Sequence, residues 1–337
     1  MTGSRVLVLG GAGAVGRHTS RQLIRLGHRV VITGRTPAPL HHLAQQHNEI
    51  DVVAADANDH KTLRGAGSVD AVVNTTGLVD RTIVQPWLDE GTPFVDIAAS
   101  GEEIRQLERC DASRSTLLLS VGLLPGLSTL IAADLAARDP DTSPITIGAL
   151  LGVGEDYGDA SRRWTIGRLG ARIDGHDGPF RNFTTPVPID FPGGFGARNA
   201  YRFDFADHYV LSRDLDVPVT TAYCMDSRLA NTALTLAARI PGAPRALLAA
   251  NRASRRAAKG SDWWAATIFT DNHTTWALGR AQSESTGVLT AIATDRLLTT
   301  AAQPGVRHIH QLLELDDIRD HLPNLGIAMA QSPGEGH

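Results

Sequence analysis

The sequence predicts an α/β protein in which a doubly wound parallel sheet is followed by a second α+β domain built on a mixed sheet. Three observations predict it. Short apolar runs alternate with helical patterns as far as residue 125, a glycine-rich segment joins the first run to the first helix, and the texture changes after Pro125.

"RVLVLG" (5–10) is an all-apolar run of the kind that forms strands buried on both faces. From Ala14 to Leu26 the spacing of Val15, Leu23, Ile24 and Leu26 suits a helix, closed by Gly27 in the C-cap role. "RVVITG" (29–34) is the second strand, and a helix through "LHHLAQQH" leads to the third, "IDVVAAD" (50–56). "VDAVVNTTG" (69–77), "PFVDIAA" (93–99) and "STLLLSVG" (115–122) complete the sheet. Beyond it, 145–152, 201–210 and 218–224 read as strands of another sheet, and the Gly/Pro-rich stretch 174–196 reads as a lid or binding loop. Strands at 263–271 and 274–282 turn at Asn272 and His273. An amphipathic helix (285–300), a last helix through "IHQLLELDDIRDHL" and a frayed tail "AQSPGEGH" follow.

A chain of 337 residues is comfortable for two domains. The net charge of −4, with basic residues spread along the chain, argues against a nucleic-acid partner. Cys110 and Cys224 are the only cysteines, so neither a disulfide framework nor a zinc site is expected, and no metal ligands are assigned. The N-terminus leads straight into a strand and no apolar run reaches the roughly 18–20 residues of a membrane span. A soluble cytoplasmic protein without a membrane partner is the expectation.

"GGAGAVG" (10–16) sits between strand and helix, where a dinucleotide phosphate loop belongs. Glycines allow the tight turn and the close approach of a pyrophosphate, and the helix N-terminus supplies N–H groups. Gly11, Gly13 and Gly16 satisfy GxGxxG, while Gly10, Gly13 and Gly16 satisfy GxxGxxG; Ala14 and Val15 complete the loop. The end of the second strand, where NAD-binding proteins place a carboxylate, offers Thr33, Gly34, Arg35 and Thr36 instead. Arg35 can pair with a 2′-phosphate and the threonines can donate hydroxyls, which makes NADPH/NADP the expected cofactor. Asp56 and Ala57 are placed to meet the adenine edge, and Asn74, Thr75, Thr76 and Gly77 to line the nicotinamide ribose; loop capping explains each nearly as well.

The chain resembles the saccharopine dehydrogenase family in the broad sense that includes lysine 6-dehydrogenase-like reductases. The resemblance rests on "VLVLGGAGAVGR", "VVNTTG", "FVDIAAS", a G-x-x-P-G turn within "SVGLLPGLSTLIAADLA" (120–136), and "WALGRAQSESTGVLTAIATDRLL" near the C-terminus. It implies a split Rossmann domain, residues 1–137 completed by elements in 303–330. A mixed-sheet domain, 138–302, would bind substrate and mediate a homodimer. The middle of the chain matches nothing in the family's substrate-binding pattern.

Residue types exclude some chemistry. No tyrosine is followed by lysine at Tyr-x-x-x-Lys spacing and there is no Gly-x-Ser-x-Gly elbow. Of the two lysines, Lys61 lies in the first half and Lys259 in the basic run "NRASRRAAKG", so a Schiff base is not expected. Hydride transfer supplied by the cofactor remains, and it needs a proton donor. Asp96, which matches the family's acidic position, is one candidate; capping the Ser100–Glu103 turn is its other reading. Tyr157 is another, in a glycine-flanked loop. Tyr201, Asp204, His208 and Tyr209 are read as one strand, with Tyr201 and Tyr209 on one face and Asp204 and His208 on the other. Trp263 and Trp264 fit a sheet core, a dimer interface or a stacking platform, and Arg162 with Arg163 a solvated helix face or a carboxylate site. The expected function is NADPH-dependent reduction of a C=N bond in a small molecule, with enoyl or ketone reduction, or a non-catalytic NADP-binding module, as alternatives.

Overall fold

The computed structural model describes residues 3–139, 144–155, 157–176, 178–253, 260–300 and 302–333. It divides into two compact units, Met1–Leu127 with Ser283–Glu314, and Ser128–Gln282 with Leu315–His337. The boundaries read from sequence differ from these units in 128–137, 283–302 and 315–330.

The first unit contributes β1 (Arg5–Leu9), β2 (Arg29–Gly34), β3 (Ile50–Ala54), β4 (Ala71–Asn74), β5 (Phe94–Asp96) and β6 (Thr116–Leu119). The second contributes β7 (Ile145–Leu151), β8 (Arg172–Gly175), β9 (Gly178–Arg181), β10 (Pro186–Phe191), β11 (Gly196–Arg202), β12 (Val219–Met225), β13 (Trp263–Phe269) and β14 (His273–Arg280). The chain then returns β15 (Gly305–His308) to the first sheet and β16 (Ala328–Pro333) to the second.

In the first sheet the order is β15-β6-β5-β4-β1-β2-β3, and every pairing is parallel. Val6–Leu9, Val30–Ile32, Ala71–Val73 and Leu117–Leu119 are 0 % exposed, as strands covered on both faces must be. The order reverses between β1 and β4, so the loops leaving their carboxyl ends diverge and open a crevice there.

The helix Gln282–Thr299 is buried on most of its surface, against the amphipathic expectation. Its small residues explain why. A Cβ on Gly287 would lie 2.7 Å from the Val15 carbonyl and 2.9 Å from the Thr19 nitrogen, so this helix meets the first helix, Gly16–Arg25, backbone to backbone. The G-x-x-P-G turn is equally tight: a Cβ on Gly126 would fall 1.9 Å from the Gly122 carbonyl, and one on Gly122 would fall 2.9 Å from Thr286 Cγ2.

The second sheet is mixed, in the order β10-β11-β12-β7-β13-β14-β16, with β12 and β7 parallel and the other neighbours antiparallel. Four sequence expectations are corrected here. Residues 174–196 are not an irregular lid: they form a β8–β9 hairpin and the strand β10, followed by the turn into β11. Pro186 and Pro188 disguised β10, which tolerates them because it is an edge strand. Residues 201–210 are not one strand. β11 stops at Arg202 and Asp207–Asp214 is a helix, with Asp207 in its first turn. The Phe203/Phe205 alternation suggested a strand, but the Ala206 carbonyl accepts from Tyr209 and Val210 N–H. "IHQLLELDDIRDHL" is a 3₁₀ turn, Ile309–Gln311, and a short helix, Leu315–Arg319. The tail is not frayed as far as Pro333, because β16 pairs with β14; residues 334–337 lie outside the described residues, as does Lys259.

No described helix is long and apolar enough to cross a membrane. Gly287→Ala is expected to destabilise the protein by about 1–3 kcal/mol, because the added methyl meets the backbone of the first helix at Val15 and Thr19. Gly167→Ala, whose Cβ meets nothing within 4 Å, should be neutral or gain up to about 1 kcal/mol. Urea unfolding of the two variants beside the parent checks the contrast.

Candidate functional site

At the carboxyl end of β1 the chain turns on Gly10, whose φ of 76° lies in the left-handed region that favours glycine. The Thr33 carbonyl accepts from both Gly10 N–H (3.0 Å) and Gly11 N–H (3.1 Å), so β2 holds the loop by its backbone. A Cβ on Gly11 would lie 2.5 Å from Ile32 Cγ2, and one on Gly16 would lie 2.2 Å from the Gly10 carbonyl and 2.7 Å from Thr75 Oγ1. Gly13 stays exposed. The helix that follows has no side-chain cap and no acidic residue in its first turn. Its N-terminus therefore presents N–H groups and positive potential to the loop, as a bound pyrophosphate requires.

The turn after β4 faces this loop. Thr75 Oγ1 donates to the Leu9 carbonyl at 2.7 Å, and Thr76 Cγ2 would be 3.1 Å from a Cβ on Gly10. Asn74, 1 % exposed, organises the turn: its Oδ1 accepts from Thr76 N–H (3.1 Å) and Thr76 Oγ1 (2.7 Å), and its Nδ2 donates to the Leu78 carbonyl at 2.8 Å. Gly77 closes the turn with φ 72°.

At the end of β2, Arg35 and Thr36 are exposed, whereas Thr33 is buried and its Oγ1 has no partner. Asp56, half-buried, accepts from Asn58 N–H at 3.0 Å. That bond holds its carboxyl below the usual carboxylate range, with a smaller contribution from the nearby Arg35 charge. Ala57 is buried. Glycines that admit no Cβ, an uncapped helix start and an orphaned buried hydroxyl at the end of β2 fit a dinucleotide.

Asp96 ends β5 beside Asn74, its register partner. It is buried, and its oxygens accept from Asn74 Nδ2 (2.8 Å) and Ala98 N–H (2.7 Å). Burial raises its pKa from 3.8 to about 7, outweighing the two hydrogen bonds that pull it down. It does not cap the following helix, because Ser100 and Glu103 form a capping box there. The group is thus a carboxyl poised between its two protonation states near neutral pH.

Tyr157, Tyr201 and His208 belong to the second unit, where each has its own surroundings. The Tyr157 hydroxyl donates to the Gly152 carbonyl at 2.6 Å, and burial pushes the phenol up. Tyr201 stacks on Phe183 with centroids 4.9 Å apart. His208 Nε2 lies 2.9 Å from Asp204 Oδ1, and Arg168 Nη1 lies 3.5 Å from Asp204 Oδ2. Tyr209 is on the helix with His208, so the two-face division expected for one strand does not hold. Trp264 is 0 % exposed in the sheet core, while Trp263 lies beneath Arg280 at the sheet surface. Arg162 and Arg163 are on the helix Gly158–Gly167, Arg163 exposed and Arg162 half-buried.

One cluster escaped sequence reasoning. Pairing of β15 with β6 sets His308 opposite Leu119, and His308 Nδ1 lies 2.9 Å from Ser120 Oγ. His308 Nε2 lies 3.1 Å from Glu108 Oε1. Ser120 has φ 56°, unusual outside glycine, and is 0 % exposed. His308 is 188 residues from Ser120 and 200 from Glu108, so no local pattern announces the group.

The model of the NAD dependent epimerase/dehydratase family matches residues 6–89. L-xylulose reductase of Homo sapiens is 34% identical over 93 residues, 26% of this chain and 37% of the relative. Carbonyl reductase (NADPH) 2 of Sus scrofa is 36% identical over 92 residues, 26% of this chain and 36% of the relative. The chain thus spans little more than a third of these relatives' length. Saccharopine dehydrogenase (L-Glu forming) of Saccharomyces cerevisiae superposes over 98% of this chain and 100% of its own, with a TM-score of 0.66 and 14% identity. The chain has the saccharopine dehydrogenase fold. The sequence motifs, which lie in the first 137 residues and near the C-terminus, and the likeness in structure over 98% of the chain agree on the fold.

The raised Asp96 carboxyl has a consequence for stability. Its unfolded value is near 3.8 and its folded value about 7, so between them the folded state binds the proton more tightly. Stability contributed by the protonated group is complete below 3.8, falls as pH rises through about 7, and is flat above. Asp96→Asn should abolish this fall, shifting the stability difference in favour of the variant by about 2–4 kcal/mol between pH 4 and pH 8. Urea midpoints across that range test it; a difference independent of pH would show that the carboxyl ionises normally.

Proposed function

We propose that this protein is an NADPH-dependent oxidoreductase that reduces a C=N bond of a small molecule. The observation that carries the reading is the end of β2, where Arg35 and Thr36 are exposed beside the glycine loop and no carboxylate occupies the ribose position. A carboxylate there would repel a 2′-phosphate, and an arginine pairs with one. The name of the carbonyl reductase relative includes NADPH, and that relative is matched over only part of its length.

In this reading Gly10, Gly11, Gly13 and Gly16, with the N–H groups through Ala14 and Val15, receive the pyrophosphate. Thr33 keeps the loop in place through its carbonyl, Gly34 leaves room beside Arg35, and Asp56 with Ala57 meets the adenine end. Asn74, Thr75, Thr76 and Gly77 line the ribose nearer the reacting ring. The cofactor supplies a hydride. Asp96 supplies the proton: a carboxyl with a pKa near 7 can hold it at neutral pH and release it to a developing anion. Tyr157, Tyr201 and His208, each in its own surroundings in the second unit, are the alternative donors. The protein works as a cytoplasmic homodimer. Enoyl and ketone substrates would use the same parts. The competing reading, a non-catalytic NADP-binding module, draws on the fact that Tyr157, Tyr201 and His208 are each engaged by neighbours.

Calorimetric titration with NADPH and NADH is the direct test. Tight NADPH binding is expected, and Arg35→Glu should weaken it by about tenfold to a hundredfold while changing NADH binding little. Equal affinity for both cofactors in the parent would remove the phosphate reading. NADPH consumption with imines, enones and ketones then separates a reductase from a binding module, and turnover should fall as pH rises through about 7, the value at which Asp96 loses its proton.

A further inference from the structure

The helix Arg228–Arg239 in the second unit leaves most of its large apolar side chains outside. Its inner face carries half-buried Leu234 with Thr235 and Ala238, both buried. Its outer face carries the large apolar side chains: Leu229 is 84 % exposed, Leu236 53 % and Ile240, at the C-cap, 55 %. With exposed Ala233 these follow one another at intervals of four, three and four residues, a single stripe along the helix. Of the five large apolar residues exposed among the described residues, three lie on this line. Isolated exposed leucines need no explanation, but an aligned set does.

The exposed charged residues described on this helix and the next are all basic. Arg228, Arg239 and Arg245 are exposed at its ends and on the following helix, Ala243–Ala253. In the sequence, residues 228–260 hold seven basic residues and no acidic one, within a protein of net charge −4.

We propose that this face docks on an anionic lipid surface, with Leu229, Leu236 and Ile240 entering the headgroup–acyl boundary and the arginines pairing with lipid phosphates and carboxylates. The combination is that of an interfacial helix: a stripe of aliphatic side chains, cationic flanks and low net hydrophobicity. Arginine suits the flanks, since its stem lies along apolar surface while its head reaches the phosphates. A second copy of this chain is the wrong occupant. A two-fold contact would set the face against itself and bring like charges together. A protein partner is less well matched, because the stripe offers leucine, isoleucine and alanine and none of the tyrosine or tryptophan that anchor protein interfaces. The sequence excluded a membrane partner on the ground that nothing spans a bilayer; lying on one needs no span. The inference is independent of the reductase reading.

Flotation of the full chain with vesicles tests it, using phosphatidylcholine alone and phosphatidylcholine with about one-third phosphatidylserine. The protein should float with the serine-containing vesicles, stay behind with neutral ones, and release as salt rises. Leu229→Glu/Leu236→Glu should cut the bound fraction about tenfold, and Arg228→Gln/Arg245→Gln should weaken binding and flatten its salt dependence. Both pairs are exposed, so thermal unfolding should match the parent and exclude misfolding as the cause. Three results would overturn the proposal: no flotation with either vesicle, flotation of Leu229→Glu/Leu236→Glu equal to the parent, or a dimer in gel filtration that this same pair dissociates.

Discussion

The first unit depends on backbone meeting backbone with nothing between. Gly16 stands where a methyl would collide with the Gly10 carbonyl, and Gly287 where a methyl would collide with the Val15 carbonyl. These two absences press the start of the first helix onto the phosphate loop from one side and the C-terminal helix onto it from the other. The loop itself hangs from one acceptor, the Thr33 carbonyl, shared by Gly10 and Gly11. A side chain at any of these places would move the helix N-terminus, and with it the N–H groups that make the loop attractive to phosphate. The return of the chain from the second unit is therefore part of what holds the glycine loop, since Gly287 supports the same helix end that the loop presents.

This explains why the first unit was legible in the sequence. Strands covered on both faces must be apolar throughout, so β1, β2, β4 and β6 announce themselves as runs such as "VLVL" and "TLLL". The glycines of the loop are demanded by local geometry and so appear as a local motif. The Asn74–Asp96 contact could be anticipated in part, because both residues end neighbouring strands of an ordered sheet. The Ser120–His308–Glu108 group could not, because only the pairing of β15 with β6 assembles it.

The second unit was read less well for reasons that are equally physical. Its sheet has edges, and an edge strand can carry Pro186 and Pro188 without losing ladder hydrogen bonds, so β10 resembles a loop in sequence. "YRFDFADHYV" alternates apolar and polar residues as a strand does, yet Phe203, Phe205 and Tyr223 cluster in three dimensions while the chain between them turns into a helix. Aromatic residues that pack across a turn imitate strand periodicity, and tertiary contact decides the outcome. Asp204 and His208 lie 2.9 Å apart, which a shared strand face would not produce, since i and i+4 of a strand are roughly 13 Å apart; the turn of the chain into a helix brings them together.

Asp96 joins fold and chemistry most closely. A carboxyl that is buried, with its pKa raised to about 7, weakens the folded state at neutral pH relative to a residue that never ionises. Its two hydrogen bonds, to Ala98 N–H and from Asn74 Nδ2, need only oxygens to accept them, and they pull the pKa down without overcoming burial. Packing alone therefore gives no reason for an ionisable group at this position. The proposed reduction would supply one, a proton held beside Asn74 at the carboxyl end of the sheet. The cost in stability is the physical ground on which the proposal names Asp96 as the proton donor.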